Sequence, residues 1–211
     1  LTKSISLFSG NKNLQKHKSH MDYYIANAIQ ANVALVQNKW ADAAKFATEA
    51  LTKPNLAIGS GTDLSSGFNN RNLKNVMWGA EIIADQSSIY ASFFSHMDAA
   101  ADRYARSSRK CAYKWLYDLV PTTDARKSWW NGATDGGTNT TKPYNQVKFR
   151  YSNIATDLGD YIFMRAEEMV LVKAEALAND NKLAEARTAL ESLMSLRNPT
   201  GYQAILNAMT L

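Results

Sequence analysis

Residues 38–51, NKWADAAKFATEAL, return in altered form at residues 181–193, NKLAEARTALESL, an offset of 143 positions (181 less 38). A segment written twice constrains the fold strongly, because both copies must bury the same face. In the first copy Trp40, Ala43, Ala44, Ala47, Ala50 and Leu51 fall at helical spacing, with Asp42, Lys45 and Glu49 between them. In the second, Leu183, Ala186, Ala189, Leu190 and Leu193 repeat that stripe, and Glu185, Arg187 and Glu191 take the solvent side. The stripe is mostly small, which lets neighbouring helices approach closely.

Each copy follows another helix-patterned run, HMDYYIANAIQANVALVQ and YIFMRAEEMVLVKAEALAN, across a polar turn at Asn38 or at Asn179 to Asn181. The unit is therefore an antiparallel helix pair, over about residues 19–51 and again over about 161–197. A large first residue followed by alanines on one face resembles the tetratricopeptide pattern; ordinary helical hairpins are the alternative. Ser19 is the expected N-cap of the first helix and Pro54 ends the second. Residues 1–17 are expected to be an irregular lead-in, and about 55–150 a loop-rich segment. Short strands are expected in VMWGAEIIA (76–84) and QVKFRY (146–151). Asp85 to Ser108 is an excursion without a clean period. The expected fold is mainly α, tetratricopeptide-like, with a loop-rich, minor β face.

A length of 211 residues, 45% hydrophobic and 20% charged, fits one globular domain and argues against disorder. The chain starts at Leu1 and stops inside the helical pattern AILNAMTL, so it is expected to be a domain incomplete at both ends. No apolar run reaches the roughly 18 residues of a membrane span. The net charge of +5 is local: Lys3, Lys12, Lys16 and Lys18 occur in the first twenty residues without an acid, and the other 20 bases meet 19 acids. That balance excludes a nucleic-acid surface. The single cysteine, Cys111, excludes an intrachain disulfide and is expected to be a small buried residue.

The order of further landmarks resembles the SusD/RagB family of outer-membrane nutrient-binding lipoproteins of Bacteroidetes. They are ANVALVQNKWADAA, then NVMWGAEI, a D-x-R turn at Asp124 to Arg126, the run Lys148, Phe149, Arg150 and Tyr151, and a helix carrying Arg165, Glu168, Leu171, Ala174, Glu175 and Ala176. Glu167 departs from the family, which usually has alanine there, so looser helix packing is expected at that point. The resemblance implies a scaffold of helix pairs drawn from distant parts of the chain, with a ligand site on the loops between them. It also implies polysaccharide utilisation at the cell surface, a SusC-like TonB-dependent transporter as partner, and a lipid anchor outside this segment.

Glycan recognition needs flat apolar faces for sugar rings and a few planar polar groups for hydroxyls. The candidates are Tyr90, Phe93, Phe94, Trp129, Trp130 and Tyr144, foremost Trp130 and Tyr90, although each ring would equally suit a core. Asn131, Asp135 and Arg103 are candidate polar helpers. Trp40, Trp78 and Trp115 occupy landmark positions and are assigned to the core. Arg165 and Glu168, at i and i+3, are expected to form a partly buried ion pair. Glu168 and Glu175 share a helix face about 10 Å apart, but one rigid helix cannot flank a sugar on opposite sides, so no catalysis is expected. His17 and His20 lack further metal ligands, and Asp135 with Asn139 lacks the twelve-residue calcium pattern. With neither a phosphate loop nor a nucleophile elbow, no cofactor or metal is expected. A nutrient-binding module is the first functional class and a helical-repeat interaction scaffold without a small ligand the second. A plain scaffold has no reason to hold exposed aromatics between Asp85 and Tyr144.

Overall fold

The computed structural model describes residues 2–12, 15–87 and 92–209. In chain order its elements are α1 (Thr2–Ser9), α2 (Tyr23–Val36), α3 (Trp40–Leu51), β1 (Val76–Ala80), α4 (Phe93–Met97), α5 (Tyr104–Ser107), α6 (Lys114–Leu119), β2 (Tyr161–Arg165), α7 (Ala166–Asn179), α8 (Leu183–Arg197) and α9 (Tyr202–Ala208). The fold is mainly α, and β1 pairs with β2 in a two-stranded sheet. The chain forms two compact units: unit 1 comprises Leu1–Gly59, Asn72–Gly79 and Phe163–Leu211, and unit 2 comprises Ser60–Arg71 and Ala80–Ile162.

The repeated sequence produces a repeated turn. Asn38 and Asn181 both lie in the left-handed region, at φ 57° and 58°. The Lys39 amide donates to Ala34 and the Lys182 amide to Leu177, each at 2.9 Å, so donor and acceptor shift together by the sequence offset. Asparagine tolerates this conformation better than other residues with a Cβ. Asn38→Ala should therefore cost about 1 kcal/mol, the strain of a left-handed L-residue, whereas Asn38→Gly should be nearly neutral. Urea midpoints check this, and equal midpoints for the two variants would contradict it.

In unit 1 helix α3 packs on α2 and α7, and α8 packs on α7, so the two distant pairs stack side by side. The small stripe does what the spacing requires. Ala34, Ala43 and Ala44 meet Ala176, Leu177 and Ala186 in one cluster. Ala28, Ala31, Ala47 and Ala50 join Ile25, Met77, Met164 and Met169 in another. Two repeat-equivalent pairs match in burial, Ala43 with Ala186 and Ala50 with Leu193, whereas Ala47 is buried and its equivalent Leu190 only half-buried.

Several local expectations change. The N-cap of α2 is Asp22 rather than Ser19, because the Asp22 carboxylate accepts from the Ile25 amide at 2.8 Å. Residues Thr2–Ser9 form a helix where an irregular lead-in was expected. YIFMR is a strand rather than the first turns of a helix, since its aromatic and branched residues pair with β1, and α7 starts at Ala166. QVKFRY makes one isolated bridge, Gln146 with Trp130, so it is not a strand. Trp40 and Trp78 are half-buried, while Trp115 is 63% exposed on α6, a helix without a buried residue. Cys111 is exposed. Arg165 ends β2, so helical spacing does not apply to it; Glu168 instead accepts from Asn32 Nδ2 at 2.8 Å.

Unit 2 holds the short helices α4 to α6 and much irregular chain. Its apolar centre is Phe94, Ala101 and Tyr151, with Phe149 and Tyr161 packed against them. Side chains fasten the loops: Arg71 bonds both Glu81 (2.8 Å) and Asp160 (3.1 Å), and Asn69 Nδ2 donates to the Arg150 carbonyl at 2.8 Å. Such bonds replace the ladders that regular strands would supply.

Candidate functional site

Unit 2 gathers a continuous row of aromatic rings. From Trp130 the ring centres step to Trp129 (6.2 Å), Phe68 (5.6 Å), Phe149 (5.7 Å), Phe93 (5.2 Å) and Phe94 (5.2 Å). Most contacts are edge to face, the arrangement that aligns positive ring edges with negative faces. The Lys148 ammonium lies over three of these rings, 4.2 Å from Trp129, 4.6 Å from Phe149 and 4.8 Å from Phe68. A cation so placed holds the rings in register.

The residues singled out from sequence fall in different places. Phe93 is 44% exposed at the start of α4. Phe94, beside it, is 1% exposed and belongs to the core, because successive residues on a helix point about 100° apart. Trp129 is half-buried and its Nε1 donates to the Leu64 carbonyl at 2.6 Å; Trp130 is half-buried next to it. Tyr144, at φ 57°, pairs with Tyr117 (5.3 Å) rather than joining the row. Tyr90 lies outside the described residues. Phe68 and Phe149, which join the two ends of the row, were missed. Phe149 lies in the landmark KFRY, whose alternation reads as a strand, and Phe68 lies in SSGFNN, which carries no periodic signal.

The expected polar helpers are occupied within unit 2. Arg103 makes a two-pronged pair with Asp157, Nε to Oδ1 at 2.9 Å and Nη2 to Oδ2 at 3.2 Å, which raises the guanidinium's affinity for its proton. Asn131 Nδ2 donates to the Lys142 carbonyl at 2.9 Å. Asp135 pairs with Lys142 at 2.7 Å and accepts from the Gly137 amide at 2.8 Å, and these bonds hold its carboxyl below the usual range. Asn139 accepts from Arg109 at 2.6 Å.

Unit 2 has two concave places, the first of which shares Phe94 with the row. A cleft of about 180 Å³ is lined by Phe94, Tyr161, Ser92, Gln86 and Asp157, mixing ring surface with amide, hydroxyl and carboxylate. A shallower one of about 430 Å³ is lined by Asn69, Asp98, Arg150, Tyr151 and Ile154. Burial raises the Tyr151 hydroxyl's pKa, and the bond between that hydroxyl and Ser92 Oγ (2.8 Å) opposes the shift. Exposed Tyr104, Tyr113 and Trp115 add further ring faces on unit 2. Planar rings beside planar polar groups suit a ligand with apolar faces and hydroxyl edges. Among the described residues there is no group of three or more side chains fit to hold a metal, and no helix long and apolar enough to cross a membrane.

No family model matches the sequence, and no curated protein matches it. Solved structures do match. A SusD-like carbohydrate binding protein from Bacteroides vulgatus is similar at a TM-score of 0.76 and 26% identity, over 93% of this chain and 43% of its own. The chain has the SusD-like fold. A SusD superfamily protein from Bacteroides thetaiotaomicron shares it at a TM-score of 0.72 and 14% identity, over 99% of this chain and 49% of its own. Surface glycan-binding protein A from Bacteroides uniformis does so at 0.64 and 15%, over 89% and 44%. This SusD-like chain thus spans less than half the length of each of these three proteins. Its repeat helices form the SusD-like scaffold, and the aromatic row sits on the loop-rich segment.

Proposed function

We propose that this SusD-like chain is part of a longer domain that captures oligosaccharide at the cell surface and delivers it to a SusC-like TonB-dependent transporter in the outer membrane. A lipid anchor outside this segment holds it there. The observation that carries the reading is the aromatic row that runs from Trp130 to the exposed Phe93 and the buried Phe94 behind it, in a fold whose neighbours include proteins named for carbohydrate and glycan binding. Those names support binding rather than catalysis. A competing reading, an interaction scaffold without a small ligand, is favoured by α6, whose flank exposes Tyr113, Trp115, Leu116 and Leu119.

Each stacked ring contributes about 1 kcal/mol, by analogy with aromatic pairs. Affinity should therefore be micromolar or weaker and should need several sugars. Once a glycan array identifies a ligand, calorimetry should show Trp130→Ala and Phe93→Ala each weakening it about five-fold, the equivalent of one such ring, with unchanged melting temperatures. Failure of every arrayed glycan to bind favours the scaffold. Full affinity in both variants removes the aromatic row from the site.

A further inference from the structure

The lysine-rich start of the chain builds a cleft in unit 1. Lys16, Lys18 and Lys53 line one concavity of about 480 Å³, together with His17, Asp22 and Asn72. Asp22 is the one carboxylate among these six lining residues, and it is already committed. It is buried, accepts the Ile25 amide as the cap of α2, and forms an ion pair with Lys53. With Lys53 and Asp22 neutralising each other, Lys16 and Lys18 leave the cleft positive.

The ammonium groups also keep donor capacity. A lysine has three N–H donors. Lys18 gives two of them to backbone carbonyls, Leu73 at 2.7 Å and Val76 at 2.5 Å. Lys53 gives one to Gln15 Oε1 at 2.7 Å and one to Asp22, and lies 5.5 Å from the Tyr24 ring centre. Lys16 is exposed at the same cleft. Burial, and then the nearby charge of Lys53, lowers the Lys18 pKa to about 8. Lys53 has Asp22 as its counter-charge, but Lys18, partly buried beside it, has no carboxylate partner among the described residues, and an anion seated at Lys18 would relieve it.

We propose that this cleft binds a small oxyanion, the sulfate or carboxylate group of an acidic saccharide or the corresponding free ion. Lys16 and Lys18 supply the charge, and the remaining Lys18 N–H supplies direction, as charge-assisted bonds do. The site uses residues of unit 1 alone and does not depend on the aromatic row of unit 2.

The test is calorimetry and thermal melting of the whole chain with sodium sulfate, sodium glucuronate, glucosamine 6-sulfate and glucose, each against sodium chloride at matched ionic strength. Sulfate and glucuronate should bind saturably and raise the melting temperature, and glucose should not. Lys16→Ala removes an exposed side chain, so its effect is not one of misfolding; Lys18→Gln keeps a donor for the Leu73 and Val76 carbonyls. Each should weaken sulfate at least about five-fold, the scale of one charge-assisted bond partly exposed to water. Sulfate binding should also weaken from pH 7 to pH 9, as Lys18 loses its proton near 8. Tighter glucuronate than sulfate assigns the site to carboxylated saccharides, the reverse order to the sulfate group, and glucosamine 6-sulfate binding more tightly or less tightly than sulfate then assigns it to the saccharide or to the free ion. Sulfate behaving like chloride, or binding both variants as tightly as wild type, overturns the proposal.

Discussion

Arg197→Met should lower the stability of unit 1 by about 3–5 kcal/mol, the cost of stranding one member of a buried ion pair. Arg197 and Glu167 are each 6% exposed, and Arg197 Nη2 donates to Glu167 Oε1 at 3.1 Å. The same carboxylate oxygen accepts from the Gly59 amide at 2.8 Å and from Asn75 Nδ2 at 2.9 Å, while Arg197 Nη1 donates to the Gly59 carbonyl. One cluster thus binds the start of α7, the end of α8 and the loop at residue 59. Gly59 has no room for a side chain, because a Cβ there would meet Asn75 at 2.6 Å and Glu167 at 2.8 Å. Losing the guanidinium leaves a buried charge that water cannot reach and that Arg165, 3.9 Å from the other carboxylate oxygen, pairs with only loosely. The double variant Glu167→Leu with Arg197→Met should recover part of the loss, since no unpaired charge remains, although Gly59 and Asn75 still lack their acceptor. Urea midpoints of wild type, both single variants and the double variant measure it. A change below about 1 kcal/mol for Arg197→Met would mean that the pair is solvated.

That cluster also marks where the sequence stops being legible. The repeat could be found because a helix imposes a period on its neighbours, and an offset of 143 survives even in the turn bonds of Asn38 and Asn181. The departure at Glu167 was visible, but its consequence was misjudged. Looser packing was expected there, and the structure shows a buried hub, because its partners Gly59, Asn75 and Arg197 lie 108, 92 and 30 residues away. Nothing in local spacing connects them. Unit 2 shows the same limit. With few regular elements, its aromatics carry no period that separates inward from outward, so Phe93 and Phe94 looked alike and Trp115 looked like core. Phe68 and Phe149 come together across 81 residues through loop geometry, which a pattern search does not reach.

Phe94→Ala separates support from contact in the aromatic row. The ring is 1% exposed, lies 5.6 Å from Tyr151 and 6.1 Å from Tyr161, and is covered by Gly159, where a Cβ would come within 2.6 Å of it. Helix α4 has five residues, too few to hold by backbone bonds alone, so burial of Phe94 and the Ser92 cap on the Ser95 amide (3.0 Å) hold it in place. Removing the ring should cost about 3–5 kcal/mol, as for other buried phenylalanines, and Gly159→Ala should also destabilise by forcing that ring aside. Phe93 stands on Phe94 on one side and Phe149 on the other, so loss of Phe94 should free it to move. If glycans stack on Phe93, Phe94→Ala loses both stability and affinity, whereas Phe93→Ala loses affinity alone. Denaturation and ligand titration on the two variants read the difference. Equal melting temperatures for Phe94→Ala and wild type would show that α4 stands without its core residue, and unchanged affinity in that variant would show that the ligand does not use the ring that Phe94 supports.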